Sequence, residues 1–238
     1  MPSATSHALS TPAWTPPSAA DVLWNALIHD SGAGVAVFDA DGWVHFANPI
    51  YLRMIGARSV EDAKRLSIED RLQHDMAEER LVILRDVIRN GHSQLIKDLR
   101  RGRALVITAR QFPHQPQFCL AVYRPADIPN WASDAEPTDV EPAQIRHVDP
   151  GPLAVLSERE KEILALIGQG LTSAQIARKL CRTIKTIEWH RSAIARKLHT
   201  KDRVALAQLA IQAGLCSPTF KVPSGKGGAA RSNNKHAD

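Results

Sequence analysis

The chain of 238 residues carries 30 basic and 25 acidic side chains, a net charge of +5 with histidines neutral, and has room for two domains that each bury a core. Cys119, Cys181 and Cys216 are odd in number, far apart and in no C-x-x-C pair, which argues against a disulfide framework or paired-cysteine zinc site and fits a reducing cytoplasm. No apolar run reaches the length of a membrane span, and the N-terminus lacks the basic start and apolar middle of a signal peptide, so neither membrane insertion nor secretion is expected.

Residues 1–20, with Pro2, Pro12, Pro16 and Pro17 among Ser, Thr and Ala, have little to bury and read as a disordered tail, with Trp14 able to dock locally. Asp21 to Asp30 reads as a short amphipathic helix with Val22, Leu23, Leu27 and Ile28 on one side, suited to a sheet or another subunit. At Gly34 the period shortens. Val35 and Val37, the turn Asp39-Ala40-Asp41-Gly42, and Trp43 to Phe46 predict two strands in a hairpin. Asn48 and Pro49 then open a helix, because asparagine caps and proline suits the first helical position, and Gly56 closes it. A longer helix is expected over Glu78 to Asn90, with Leu81, Leu84, Val87 and Ile88 inward and Gly91 at its end. Three further strand-like runs follow: His92 to Leu99, Arg103 to Gln111 and Phe118 to Tyr123.

The stretch G-V-A-V-F-D-A-D-G-W-V-H-F-A-N-P from Gly34 resembles the start of a PAS sensory domain. That resemblance implies a five-stranded antiparallel sheet holding helices on one face, with Arg124 to Ile128 as a degenerate form of the closing R-D-I-T signature. Haem-binding members of that family usually ligate through a histidine on the long helix. Glu78 to Asn90 contains none, although His74 and His92 flank it, and the Asn-Cys-Arg motif of flavin-binding light sensors is absent. No cofactor is assigned. None of the ten histidines stands four residues from another on a helix or beside a cysteine at ligand spacing, so no metal site is expected. Asp39 and Asp41 read as turn residues rather than paired catalytic carboxylates, and Cys119 as a small core residue. With no phosphate loop or nucleophile elbow, an enzyme is not expected.

Residues 125–152 hold Pro125, Pro129, Pro137, Pro142, Pro150 and Pro152, and six acids against one base, Arg146. They read as a stiff, solvated acidic spacer, whose charge could alternatively lie against the basic helical residues that follow when no other polyanion occupies them. The domains expected are a sensory unit over 21–128, a linker over 129–152, a helical unit over 153–215 and a disordered tail over 216–238.

In the helical unit, Ser157 and Glu160 form a capping box ahead of Ile163, Leu164, Leu166 and Ile167, and Gly170 ends that helix. Thr172 and Gln175 repeat the box for a short helix bearing Ile176, Ala177 and Leu180. The third helix begins near Thr183, with Ile187, Ile194 and Leu198 inward and Lys185, Glu188, Trp189, Ser192 and Arg196 facing away. Asp202 caps a fourth helix whose Val204, Ala205, Leu206, Leu209 and Ala210 are apolar nearly all round, which implies a partner surface. Between Leu153 and Leu215 eleven bases face five acids, a surplus of six. A short helix pair with a basic second member suits the major groove of DNA.

The run L-S-E-R-E-K-E-I-L-A-L-I-G-Q-G-L-T-S-A-Q-I-A-R-K-L, continuing T-I-K-T-I-E-W-H-R-S-A-I-A-R-K-L, resembles the LuxR-type (GerE or FixJ) DNA-binding domain. Gly168 stands where an alanine is usual, Ser173-Ala174-Gln175 replaces a more typical Asn-Lys-Glu, and Glu188 replaces a lysine found in many members. By chemistry, Glu188 can accept from cytosine N4, Trp189 can touch a thymine methyl or serve equally as an interface residue, and Ser192 can reach a base edge. Arg182, Thr183, Lys185, Thr186, Arg191 and Arg196 suit phosphates, and His190 reads as packed against the core with a capping bond. The whole is an α+β chain. The two resemblances imply a PAS-like five-stranded sheet with helices ahead of an all-α four-helix helix-turn-helix, and the expected function is that of a cytoplasmic transcription regulator that binds double-stranded DNA as a homodimer. Its N-terminal unit either senses a small molecule or only dimerises or docks a protein.

Overall fold

The computed structural model describes residue 24 and residues 26–126, 139–200 and 202–216. The expectations for both tails, for Val22, Leu23 and the Leu27 side chain, for the last two residues of the closing signature, and for the first part of the linker lie outside these.

The N-terminal unit is built on strand β1 (Gly34–Phe38), buried along its whole length. It pairs antiparallel with β2 (Val44–Ala47) and with β5 (Cys119–Pro125), in registers that place Ala36 opposite Ala47 and Ala121. Successive side chains of β1 enter opposite layers. Val37 packs with Trp24, Ile28, Phe112 and Phe118, so the segment ending in the π-helical turn Ala26–Asp30 covers one face of the sheet. Phe38 meets the Tyr51 ring edge-on at 6.1 Å in the other layer.

Asn48 joins these layers. Its Oδ1 accepts from the amides of Val35 and Tyr51, both at 2.9 Å, and its Nδ2 donates to the carbonyls of Ile28 (3.0 Å) and Ala33 (2.8 Å). It caps α1 (Pro49–Ile55), which Gly56 ends in the left-handed conformation, as the sequence predicts. Two short helices, α2 (Val60–Lys64) and α3 (Ile68–Arg71), were not expected. Each starts from a Ser-x-x-Asp cap, at Ser59 and Ser67, but is too short to show an apolar period. Helix α4 (His74–Asn90) begins four residues before the expected Glu78, at a Gln73 that makes no side-chain capping bond. The long helix therefore does contain a histidine, and the premise used against a haem ligand fails. His74 is exposed in its first turn.

Strands β3 (Gln94–Arg100) and β4 (Arg103–Gln111) complete the five expected, and a sixth, β6 (Glu141–Ala143), extends the sheet to the order β2-β1-β5-β4-β3-β6. The solvated spacer is thus overturned for residues 139–152. The amide of Glu141 donates to Ser93 (2.9 Å) and that of Asp149 to Leu99 (2.8 Å), and Gly102 returns a bond to Asp149 (3.1 Å). Partner numbers rise together, so the segment runs parallel to β3. The physical reason lies in two apolar residues between the prolines: Ile145 and Val148 pack with Leu99, Ala104 and Val106. They also cover an edge whose backbone groups would otherwise be open. At Gly151 (φ +52) an added Cβ would stand 2.4 Å from the Arg101 carbonyl carbon, so only glycine fits there.

The C-terminal unit follows a 3-10 turn (Gly151–Val155) that brings in Leu153. Its helices are α5 (Glu158–Gly168), α6 (Ser173–Lys179), α7 (Ile184–Lys197) and α8 (Arg203–Gln212). Ile163, Ile167, Ile176, Ile187, Ile194, Leu206 and Ala210 form one core with Leu153 and Leu156.

Asn48→Ala orphans four backbone groups and is expected to cost about 3 kcal/mol, measurable by urea denaturation of the N-terminal unit; a loss under about 1 kcal/mol would refute its bridging role. Gly151→Ala should release the segment after β6, seen as faster hydrogen exchange at the Asp149 and Gly102 amides while the amides of α5–α8 keep their protection.

Candidate nucleic-acid interface

Helix starts determine this site, because α6 and α7 are too short to persist alone. The Ser157 hydroxyl accepts from the Glu160 amide while the Glu160 carboxylate accepts from the Ser157 amide, and Thr172 with Gln175 does the same at α6. Thr183 caps α7 by accepting from Thr186 N at 3.1 Å, and its hydroxyl also bonds that of Thr186 at 2.8 Å. Between α6 and α7 the backbone turns through Cys181, a non-glycine residue with φ 51.

Glu160 does a second thing. Although buried, its carboxylate accepts from Lys197 Nζ at 2.7 Å, tying the start of α5 to the last residue of α7. Burial pushes its pKa up, but the bonds from Lys197 and from the Ser157 amide and hydroxyl outweigh it, and the net value lies below the ordinary 4.5.

With Ile187 and Ile194 fully buried, helical periodicity turns Lys185, Glu188, Trp189, Ser192 and Arg196 outward, and all five are exposed. Trp189 is 66% exposed and Ile184, at the first position of α7, is 54% exposed. Ile184 was not singled out from the sequence, although it lies beside the expected Lys185. Arg182 and Thr183 are exposed at the turn, and Thr186 is half-buried. Among the described residues Lys185 and Arg196 make no ion pair.

Arg191 differs from the rest. Half-buried, it donates from Nη1 to Ser173 Oγ at 2.8 Å and to Glu188 Oε1 at 2.9 Å. Hydrogen bonding from Ser173, then the charge of Arg191, outweighs slight burial and holds the Glu188 carboxyl below its ordinary value. Ser173 is the contact that sequence reasoning missed; the signal was that 173 and 188 both depart from the LuxR pattern. His190 packs edge-on to Trp189 at 4.9 Å, but its Nδ1 is buried without a partner, so the expected capping bond is not formed there.

On α8, Leu206 and Ala210 are buried while Val204, Gln208 and Ile211 are exposed at positions i, i+4 and i+7, an apolar-edged stripe. Gly168 is explained by packing: a Cβ there would lie 2.2 Å from Cys216 Sγ and 2.7 Å from Ala210 Cβ.

Elsewhere, Asp39 accepts from the Asp41 and Trp43 amides (both 3.0 Å) and pairs with His45 (2.8 Å), so its carboxylate is used by the hairpin turn. Burial pushes the Cys119 thiol up to about 12, the behaviour of a core residue. His74, Asp75 and Glu78 bring ligand atoms within 4.8 Å of one another. This trio was missed because α4 was expected to begin later, and all three side chains are exposed to water. Among the described residues no helix is long and apolar enough to cross a membrane.

Residues 154–210 match the family described as bacterial regulatory proteins, luxR family, and residues 23–122 match the PAS fold. The oxygen regulatory protein NreC of Staphylococcus carnosus (strain TM300) is 41% identical over 61 residues, 26% of this chain and 28% of that protein. NreC of Staphylococcus epidermidis (strain ATCC 12228 / FDA PCI 1200) shows the same identity and coverage. The chain thus matches little more than a quarter of the length of these relatives. Among solved structures, VqmA bound to DPO has 20% identity and a TM-score of 0.40, covering 83% of this chain and 90% of that one. A VqmA–ligand–DNA complex from Vibrio cholera has 19% identity and a TM-score of 0.43, covering 83% and 89%.

Because the native pKa of Glu160 is depressed, the stability it contributes is complete above pH 4.5 and is lost as pH falls through the lower native value. Glu160→Gln should therefore lower the melting temperature of α5–α8 clearly at pH 7 and progressively less as the pH falls below 4.5; a drop that does not diminish towards acid pH would contradict the ionic role.

Proposed function

Since this chain joins a PAS fold to a LuxR-type helix-turn-helix domain, we propose that it regulates transcription, its N-terminal unit receiving a signal that changes how α7 engages double-stranded DNA. The observation that carries this is the two-sidedness of α7. Ile187 and Ile194 are sealed in the core while Lys185, Trp189, Ser192 and Arg196 stand in solvent.

In this reading Lys185 and Arg196, with Arg182, Thr183 and Thr186 at the turn, contact phosphates and fix register without reading sequence. Trp189 meets a thymine methyl and Ser192 a base edge. A second copy of the chain covers the Val204–Gln208–Ile211 stripe of α8, and the two reading helices then address half-sites about 34 Å apart on one face of the duplex. The signal acts by population shift, which requires that whatever binds the N-terminal unit prefer one dimer geometry over another. Native mass spectrometry of the purified chain distinguishes a retained small molecule from a unit that only dimerises or docks a protein.

Lys185→Ala is expected to weaken binding uniformly across duplex sequences and to flatten the slope of log affinity against log salt by about 0.9. Fluorescence titrations at several salt concentrations measure this, and an unchanged slope refutes the phosphate assignment. If residues 153–215 fold yet ignore duplexes at low salt even when fused into pairs, the regulatory reading fails.

A further inference from the structure

Glu188 and Arg191 lie on the side of α7 that faces solvent, yet they are already bonded to each other and, through Arg191, to α6. Arg191 Nη1 donates to Ser173 Oγ (2.8 Å) and to Glu188 Oε1 (2.9 Å), so both of its hydrogens are engaged. Its Nε is buried without a partner, which leaves Nη2 alone to reach outward. The Glu188 carboxylate faces a guanidinium, so its charge is cancelled locally. Ser173 opens α6 and the other two sit one turn apart on α7. The bonds therefore cross between the two helices of the helix-turn-helix. Two departures from the LuxR pattern, at 173 and 188, meet at one point.

We propose that Glu188 and Arg191 are positioning residues rather than DNA contacts: with Ser173 they brace α6 against α7 and set how Lys185, Trp189 and Ser192 meet the duplex. This rests on the DNA-binding reading above. It replaces the roles of cytosine reader for Glu188 and phosphate contact for Arg191 that their residue types alone suggest. A brace and a contact differ in what their loss does. A phosphate contact carries a share of the salt slope, and a base reader carries preference at one position. A brace carries neither, and lowers affinity for every duplex alike.

The test uses the full chain with Ser173→Ala, Glu188→Gln and Arg191→Met, and with the charge-neutral double variant E188Q/R191M. The probe is a labelled mixed-sequence duplex of about 30 base pairs titrated across salt, alongside selection from random duplexes. Each variant should weaken binding roughly three- to tenfold, the double no more than its worse parent, because all three residues act as one unit. The salt slope of the double and the selected motif should match wild type. A slope flatter by about 0.9 in the double, or an altered preference at one base position in E188Q, overturns the brace. Carbon-13 titration of the Glu188 carboxyl in the free protein provides a readout without DNA. Its pKa should rise in R191M, which removes the guanidinium 2.9 Å away, and no rise there also overturns the proposal. If wild type binds no duplex, the regulatory reading falls while this titration still decides the brace. Unchanged melting of α5–α8 confirms that the variants fold.

Discussion

The helical unit depends on how its helices start. Helix α6 has seven residues and α7 fourteen, lengths at which an isolated helix is marginal in water. What makes them persist is local satisfaction of orphan amides by Ser157, Thr172, Thr183 and Asp202, combined with fully buried isoleucines at 163, 176, 187 and 194. The caps fix where each helix begins and the isoleucines fix which side faces in. The rotation of α7 about its own axis is then fixed, and its outward residues are determined by subtraction. Glu160 completes the arrangement by serving the first turn of α5 and the last residue of α7 at once, with Lys197 placed where a helix C-terminus favours a cation.

This explains which parts of the chain were legible in its sequence. A cap is a relation among residues no more than three apart, so Ser157/Glu160, Thr172/Gln175, Asn48/Pro49 and Asp202 could be read directly, and all occupy the expected positions. The strands around Gly34 and Arg103 were legible because each is a short run rich in β-branched and small apolar residues within a single segment. What stayed hidden was long-range or too short. The bond from Arg191 to Ser173 spans eighteen residues. The docking of Ile145 and Val148 needed an edge strand that no local pattern in the linker reveals, and prolines with acids dominated the reading there. Helices of four and five residues, α3 and α2, have no room for periodicity. The start of α4 was missed because Gln73 does not cap it with a side chain.

Departures from the LuxR pattern are compensated in pairs. Gly168 lacks a Cβ where Cys216 and Ala210 press in, and Cys216 Sγ reaches the Ala165 carbonyl at 3.5 Å across the same gap. An alanine at 168 would require the residues after α8 to move, so the small residue on α5 and the cysteine beyond α8 belong to one packing solution. Ser173 and Glu188 form the second pair. Read singly, each substitution suggests a change in what is recognised. Read together, both bond to Arg191 inside the protein.

The same pairing decides where the positive field points. Along α5, Lys161 bonds Glu158 and Arg159 pairs with Glu162, Lys197 is taken by Glu160, and Arg191 by Glu188. The exposed pairs among these, unlike Glu160–Lys197, contribute little to stability. Their larger effect is subtractive, since each removes a cation from the surface field. Once these four are discounted, the bases of the helical unit outside Lys201 are Arg178, Lys179, Arg182, Lys185, Arg196 and Arg203. Four of the six lie between residues 178 and 185, at the end of α6, in the turn and in the first turn of α7. A polyanion approaching from solution is therefore drawn first to the turn between the two helices, where backbone amides at the start of α7 add their own partial positive charge. Among the described residues the unpaired cations are not spread evenly over the unit: four of them collect at the edge of the surface that α7 presents.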